Sequence, residues 1–366
     1  MKTPRHIVRR EAGFSLLEMM IAVVILGVIT SQLFLALTAQ RGSNRSDSVA
    51  VDTQETTRLV LDLISLDTRN AGMLIPREVA VASVDGGNGS GGGGEDRLCV
   101  SDGSIFQIPA PGVANAFWNN LGDTFNGSVG TATGGEVRNI NTLDIESTLT
   151  VGGDPTLAGG SLIDFAANSG AIVATGKRDP NGNWTVPAAS RRIFCGKLRQ
   201  VSAAGPGAHS LQFVTTQLVP FTGEVTVVPA IIYEIGRITP GDPTVTTLLR
   251  NNIPISDQIE DLQVQYWVDS SPTDGTIQTT EWPLDGLDNR DTTRIRRVRL
   301  YTLGRTRVQE NAGGAMLARH HHPGMANRVP GTAYDNFERE VFVASVLPRN
   351  LFDYLENPNA TVPNVP

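Results

Sequence analysis

The chain has two cysteines in 366 residues, three lysines among thirty cationic side chains, and only 6% aromatic residues. Each scarcity excludes something. Without a Cys-x-x-Cys there is neither a dithiol redox motif nor a four-cysteine zinc site. No Gly-x-Ser-x-Gly, His-Glu-x-x-His or Walker A sequence occurs, and no Cys/His constellation, so catalysis has no positive support and the chain reads as a non-enzyme without cofactor. Gly89–Gly94 satisfies Gly-x-Gly-x-x-Gly literally, but no βαβ unit follows it, so it reads as a glycine-rich loop rather than a phosphate cradle. Charged residues make up 18% and glycines number 38, a composition that suits a loop-rich extracytoplasmic β protein better than a cytosolic enzyme. Lys2, Lys177 and Lys197 are the lysines; all other positive charge is arginine, a bias with no physical account in the sequence.

The most informative absence is local. From Met19 to Gln40 there is no charged residue, and Met19–Leu37 is apolar apart from Thr30, Ser31 and Gln32. A helix rising about 1.5 Å per residue over this stretch roughly crosses a hydrocarbon core about 30 Å thick. Lys2, Arg5, Arg9 and Arg10 precede it, which keeps the leader in the cytoplasm and sends the rest across. A secretory signal peptide needs small residues at −3 and −1 of its cleavage site. Cleavage after Ala39 puts Leu37 at −3, and cleavage after Ala36 puts Phe34 there, so neither fits. A plain single-pass anchor leaves Glu18 unexplained, because an ionisable group at the mouth of an apolar helix is costly.

The basic leader, the Gly13-Phe14 junction and Glu18 five residues into the chain that follows resemble the class III signal of type IV pilins and type II secretion pseudopilins. The resemblance implies that a prepilin peptidase cuts after Gly13 and that the new N-terminal residue, Phe14, is methylated. It also implies that Glu18 pairs with the N-terminal amine of a neighbouring subunit, which sets the axial register of assembly. The chemistry agrees, since an amine and a carboxylate are each costly alone in an apolar setting and pairing offsets much of that cost. The plainer reading is a glutamate favoured by the helix macrodipole and otherwise idle.

Removing residues 1–13 leaves 353 residues, and because that leader carries a net +3 the formal charge moves from −7 to −10. So acidic a body disfavours nucleic acid as a partner. Cys99 and Cys195 both fall on the exported side, where an even pair reads as one disulfide; two unpaired buried thiols are the alternative.

Along the chain, residues 14–40 read as a transmembrane helix half and 41–72 as an amphipathic half packed on a head. Leu59, Leu63 and Leu66 with Val60 and Ile64 supply three- and four-residue spacing, and Gly72 with Pro76 supplies the stop. Residues 73–355 read as a β-rich head and 356–366 as a disordered tail. Candidate strands are Arg97–Val100, Ile140–Leu149, Arg191–Val201, Leu211–Thr215 and Val225–Ile238, with a turn at Asp179–Asn183. Leu262, Val264, Tyr266 and Val268 alternate with Gln263, Gln265, Trp267 and Asp269, as in a half-buried strand; Val341–Val346 is apolar on both faces and is expected at a sheet centre. The expected fold is α+β, a long N-terminal helix on a pilin-like antiparallel head.

Leu66–Gly72 resembles the helix end of PilW-type minor pilins and J-type pseudopilins, which makes Asp67 and Arg69 candidate buried anchors; helix-surface charge is the alternative. Pro348–Leu351 resembles the ending of PilW-type sequences. His320–His322 lacks acidic or cysteine partners at ligand spacing, and Asp285, Asp288 and Asp291 lack the order of a calcium loop, so no metal is expected at either. Arg294, Arg296, Arg297, Arg299, Arg305 and Arg307 form a basic stripe that pairs internally with those aspartates or docks an acidic partner or DNA. The resemblance as a whole implies a PilW-type minor pilin that helps initiate pilus assembly near the tip. Its partners would be the prepilin peptidase, other minor and major pilins and a tip adhesin. It would reside in the inner membrane with a periplasmic head and then in the extracellular pilus. A J-type pseudopilin and a pilus-borne adhesin or DNA-uptake module are the alternatives.

Overall fold

The structure, a computed structural model, describes residues 15–72, 79–84, 95–101, 126–128, 139–140, 144–152, 168–176, 184–187, 191, 193–205, 208–215, 224–237, 246–269, 284–285, 295–306, 320–326, 328, 330–331, 334–335 and 337–348. The Gly13-Phe14 junction, the 86–94 glycine loop, the 179–183 turn, Asp288, Asp291, Arg294, Arg307 and the 356–366 tail lie outside them. The chain divides into two compact units, residues 1–51 and residues 52–366. One helix, α1 (Leu16–Asn70), contributes to both.

In the first unit α1 presents its apolar run outward on every side, with Leu16, Met19, Ile25, Leu33 and Phe34 all exposed. It is the one described helix long and apolar enough to cross a membrane. Its hydroxyls do not interrupt that surface. Thr30 donates to the Leu26 carbonyl at 2.7 Å, Ser31 to Val28 at 2.9 Å and Thr38 to Leu35 at 2.9 Å, so each donor is satisfied inside the helix.

In the second unit α1 buries Thr53, Thr57, Val60, Leu61, Ile64, Ser65 and Thr68, an unbroken three-and-four spacing that buried Ala71, just past its end, continues. This corrects the sequence reading, because Leu59 and Leu66 are 71% and 53% exposed. The physical reason lies in size. A Cβ on Gly304 would stand 2.5 Å from the Thr57 Oγ1, so the sheet approaches closest where the helix is narrow. The threonine hydroxyls are turned back into the helix (Thr57 to Thr53 O and Thr68 to Ile64 O, each 2.7 Å), leaving their methyl groups to the core. Gly72, with φ of 80°, ends the helix, and its N–H donates to the Ser101 carbonyl at 3.0 Å.

Among the described residues seventeen strands follow: β1 (Val81–Val84), β2 (Arg97–Val100), β3 (Asn126–Ser128), β4 (Asn139–Ile140), β5 (Asp144–Gly152), β6 (Gly170–Thr175), β7 (Ile193–Gly205), β8 (Ala208–Thr215), β9 (Glu224–Arg237), β10 (Thr246–Arg250), β11 (Ile253–Ser256), β12 (Ile259–Val268), β13 (Leu284–Asp285), β14 (Ile295–Arg305), β15 (His320–His321), β16 (Tyr334–Asp335) and β17 (Arg339–Val346). All pairings are antiparallel. The larger sheet runs β1-β2-β9-β6-β7-β8-β5-β4, with β3 and β10 also on β9 and β11 on β10; the smaller runs β13-β12-β14-β17. Four of the five candidate strands before residue 250 fall on single observed strands, but Ile140–Leu149 is divided between β4 and β5, which pair antiparallel with each other, and β7 and β9 are long, at 13 and 14 residues, and belong to one sheet.

Strands β1, β2 and β9 are buried on both faces. Leu98, Val100, Ile231 and Tyr233 join α1 and the smaller sheet in one core cluster, whereas Ala82, Cys99, Ala230 and Ile232 point into a second. Two readings of the smaller sheet need correction. β12 is buried on both faces rather than half-buried, with Gln263 and Gln265 only 1% and 8% exposed. Its polar face is closed by side-chain partners: Gln263 donates to Asp261 Oδ1 at 3.0 Å, and the Tyr301 hydroxyl donates to Gln265 Oε1 at 2.9 Å. β17 is an edge strand rather than a central one. Phe342, Ala344 and Val346 meet the core, while Val343 on the opposite face is 51% exposed.

Candidate functional site

The N-terminal turn of α1 holds Glu18 in a reciprocal cap. The Ser15 N–H donates to Glu18 Oε2 at 3.0 Å, and the Glu18 N–H donates to Ser15 Oγ at 3.2 Å. This is a capping box of the Ser-x-x-Glu type, whose spacing stands in the sequence at Ser15–Glu18. A cap of this kind is worth about 0.5–2 kcal/mol. The box gives Glu18 a partner within its own chain. Gly13 and Phe14 themselves lie outside the described residues.

At the other end of the helix, Asp67 reaches across to the larger sheet. Its Oδ2 accepts from the Tyr233 hydroxyl at 2.5 Å and from Arg250 Nε and Nη2 at 3.2 and 3.1 Å. Arg250 Nε also donates to the Tyr233 oxygen at 3.1 Å. Burial, and then the charge and hydrogen bond of Asp67, push the Tyr233 phenol well above its usual range. Of the two candidate anchors Asp67 is the one that is engaged; Arg69 is exposed. Nothing in the sequence marked Tyr233 and Arg250 as its partners, 166 and 183 residues away.

Cys99 and Cys195 form a disulfide joining β2 to β7, with Cα atoms 5.5 Å apart. In the strand order β9 and β6 stand between them. Three strand spacings of a flat sheet are about 14 Å, so the larger sheet must fold over on itself to bring these strands together. The second core cluster fills that fold.

The arginine stripe disperses. Arg296 donates to Asp269 Oδ2 at 3.1 Å, the Arg299 guanidinium lies 4.5 Å from the Trp267 ring centre, and Arg305 lies 4.5 Å from that of Phe337. The side chains of Asp285, Asp288 and Asp291 lie outside the described residues. In the histidine run, His322 Nε2 stands 3.2 Å from the buried Asp261, which also pairs with Arg328 at 2.5 Å, and His321 is exposed. Among the described residues no group of three or more His, Cys, Asp or Glu side chains gathers as a metal site.

Residues 8–31 match the family described as the prokaryotic N-terminal methylation motif. Among solved structures, a type IV-like pilin from Thermus thermophilus aligns with 50% of this chain and 84% of its own, at 16% identity and a TM-score of 0.21. No curated protein matches the sequence. The chain thus carries an N-terminal methylation motif on one long apolar helix that continues into a β-rich antiparallel body.

Proposed function

We propose that the protein is a structural subunit of a type IV pilus, a PilW-type minor pilin that helps start assembly near the tip. The observation that carries this is the methylation motif at residues 8–31, set on an apolar helix whose one early carboxylate is Glu18. In this reading a prepilin peptidase cuts after Gly13 and Phe14 becomes the methylated N-terminus. The subunit then waits in the inner membrane with its β-rich body in the periplasm, and leaves it on joining other pilins. During joining, Glu18 exchanges its Ser15 cap for the cationic amine of a neighbouring subunit. The mature length of 353 residues favours this over a J-type pseudopilin, whose heads are usually much smaller.

Glu18→Ala tests the role of the carboxylate. Leader cleavage and membrane residence should persist, because the apolar run inserts more readily without a charge. Incorporation should fail, because the partner amine loses its counter-charge where an unpaired charge is costly. The measurement is the amount of this protein in sheared pilus fractions and the number of surface pili. Wild-type levels of both in the variant would remove Glu18 from the assembly mechanism.

A further inference from the structure

We infer that Lys197 and Asn252 are the reactants of an internal amide cross-link, formed with the help of Glu234. Lys197 Nζ is in contact with Glu234 Oε1 and donates to Asn252 Oδ1 at 3.0 Å. The three side chains come from β7, β9 and the turn between β10 and β11, and only the fold brings them together.

The choice of residue is the first argument. Lys197 is one of three lysines among thirty cationic residues in a chain that otherwise uses arginine. Ion pairing with a buried carboxylate does not explain the exception, because arginine suits that task better and Arg97 already performs it at Glu234 Oε2, 3.3 Å away. A lysine side chain offers what a guanidinium cannot, an amine that becomes a nucleophile once it gives up a proton.

Geometry is the second argument. Asn251 and Asn252 both have positive φ, 50° and 64°, as a tight hairpin turn requires. Asn251 is clamped to β9 by two bonds of 2.9 Å, its N–H to the Ile232 carbonyl and its Oδ1 from the Ile232 N–H. The turn is therefore held at a fixed distance from β9, and Asn252 with it. With Nζ already at hydrogen-bond distance from Oδ1, a rotation of the Asn252 amide places its carbon at the separation of about 3–3.5 Å that favours attack. Glu234, 5% exposed, supplies a carboxylate already touching the amine, with Arg97 fixing its second oxygen.

The step balances without any further reagent. Glu234 takes a proton from the Lys197 ammonium, and the free amine forms a bond to Asn252 Cγ. The tetrahedral adduct collapses as the C–N bond of the side-chain amide breaks; the leaving NH2 group takes one proton from the attacking amine and one from Glu234 and departs as ammonium, which returns Glu234 to its carboxylate. Asn252 is exposed, so the ammonium has a route to solvent. The product ties β7 to the β10–β11 turn two residues beyond Cys195, on the strand face that already carries the disulfide. Unlike the disulfide, this tie survives reduction.

Peptide mapping of the full chain, purified in detergent, unfolded and digested with trypsin, decides the matter on the wild-type protein. The expected result is a branched peptide joining the Lys197 segment, uncut after Lys197, to the one that begins at Asn251, with a mass equal to the sum of those two peptides less one ammonia. Lys197→Arg should abolish the branch, and Glu234→Gln in freshly made protein should slow its appearance by about 100-fold. Linear peptides with a free Lys197 amine would overturn the inference. So would an ammonia loss confined to the Asn252 peptide without a branch, which is the mark of a succinimide.

Discussion

Removing the Asp67 carboxylate should loosen the end of α1 from the larger sheet by an amount that can be worked from its contacts. Oδ2 accepts from the Tyr233 hydroxyl and from two nitrogens of Arg250. Breaking a fully buried ion pair costs about 3–5 kcal/mol. Here the Arg250 side chain is 35% exposed and that of Asp67 13%, so water restores part of the arginine's solvation. We expect Asp67→Ala to lose about 2–3 kcal/mol. Tyr233→Phe removes one hydrogen bond to a charged group and should lose about 1.5 kcal/mol. The double variant should lose less than the sum, by about 1 kcal/mol, because both changes delete the same bond. Urea unfolding of the detergent-solubilised chain, followed by tryptophan fluorescence, measures all three. The sign with pH follows from Tyr233. Its phenol titrates higher in the folded chain than in the unfolded one, so its contribution is complete below about pH 10 and is lost as pH rises above that value. Wild type should therefore lose stability relative to Tyr233→Phe only on the alkaline side of pH 10. An Asp67→Ala variant within about 0.5 kcal/mol of wild type, or a wild-type-minus-Phe difference that is flat from pH 8 to 11, would refute the anchor.

Gly304→Val should be destabilising by about 1–3 kcal/mol, because its Cβ would meet Thr57 Oγ1 at 2.5 Å; thermal unfolding reads this, and Gly304→Val with Thr57→Ala should recover part of the loss. Replacing Cys99 and Cys195 by alanine opens a loop with a sequence separation of 96 and should cost up to about 4–5 kcal/mol in denaturant titrations. Thiol labelling of the unfolded, unreduced wild type should find no free cysteine, and two labelled thiols would contradict the bridge.

The sequence was most legible where one physical requirement dominates. A long helix that exposes an apolar surface on every side requires an uncharged run, and Met19–Gln40 announced it; Gly72 announced the helix end because few other residues take its positive φ. The strands before residue 250 were legible as elements but not as one folded-over sheet, since nothing local in Cys99 and Cys195 says that β2 and β7 meet. The buried helix face was misread because Leu59, Leu63 and Leu66 keep helical spacing too; the choice between two stripes was made by Gly304 on a distant strand. β12 was misread because alternation reports side-chain polarity, whereas burial of Gln263 and Gln265 depends on partners such as Asp261 and Tyr301. In the same way, Asp67 could be singled out but Tyr233 and Arg250 could not, since their role is set by tertiary contact alone.

The measurement that bears most directly on the pilin reading is the N-terminus of the protein recovered from membranes. Mass analysis of the N-terminal peptide should find a chain that begins at Phe14 with a methylated amine, and Gly13→Val should leave the leader attached. A mature chain that begins at Met1, or near Gln40 after cleavage behind the apolar run, would contradict it.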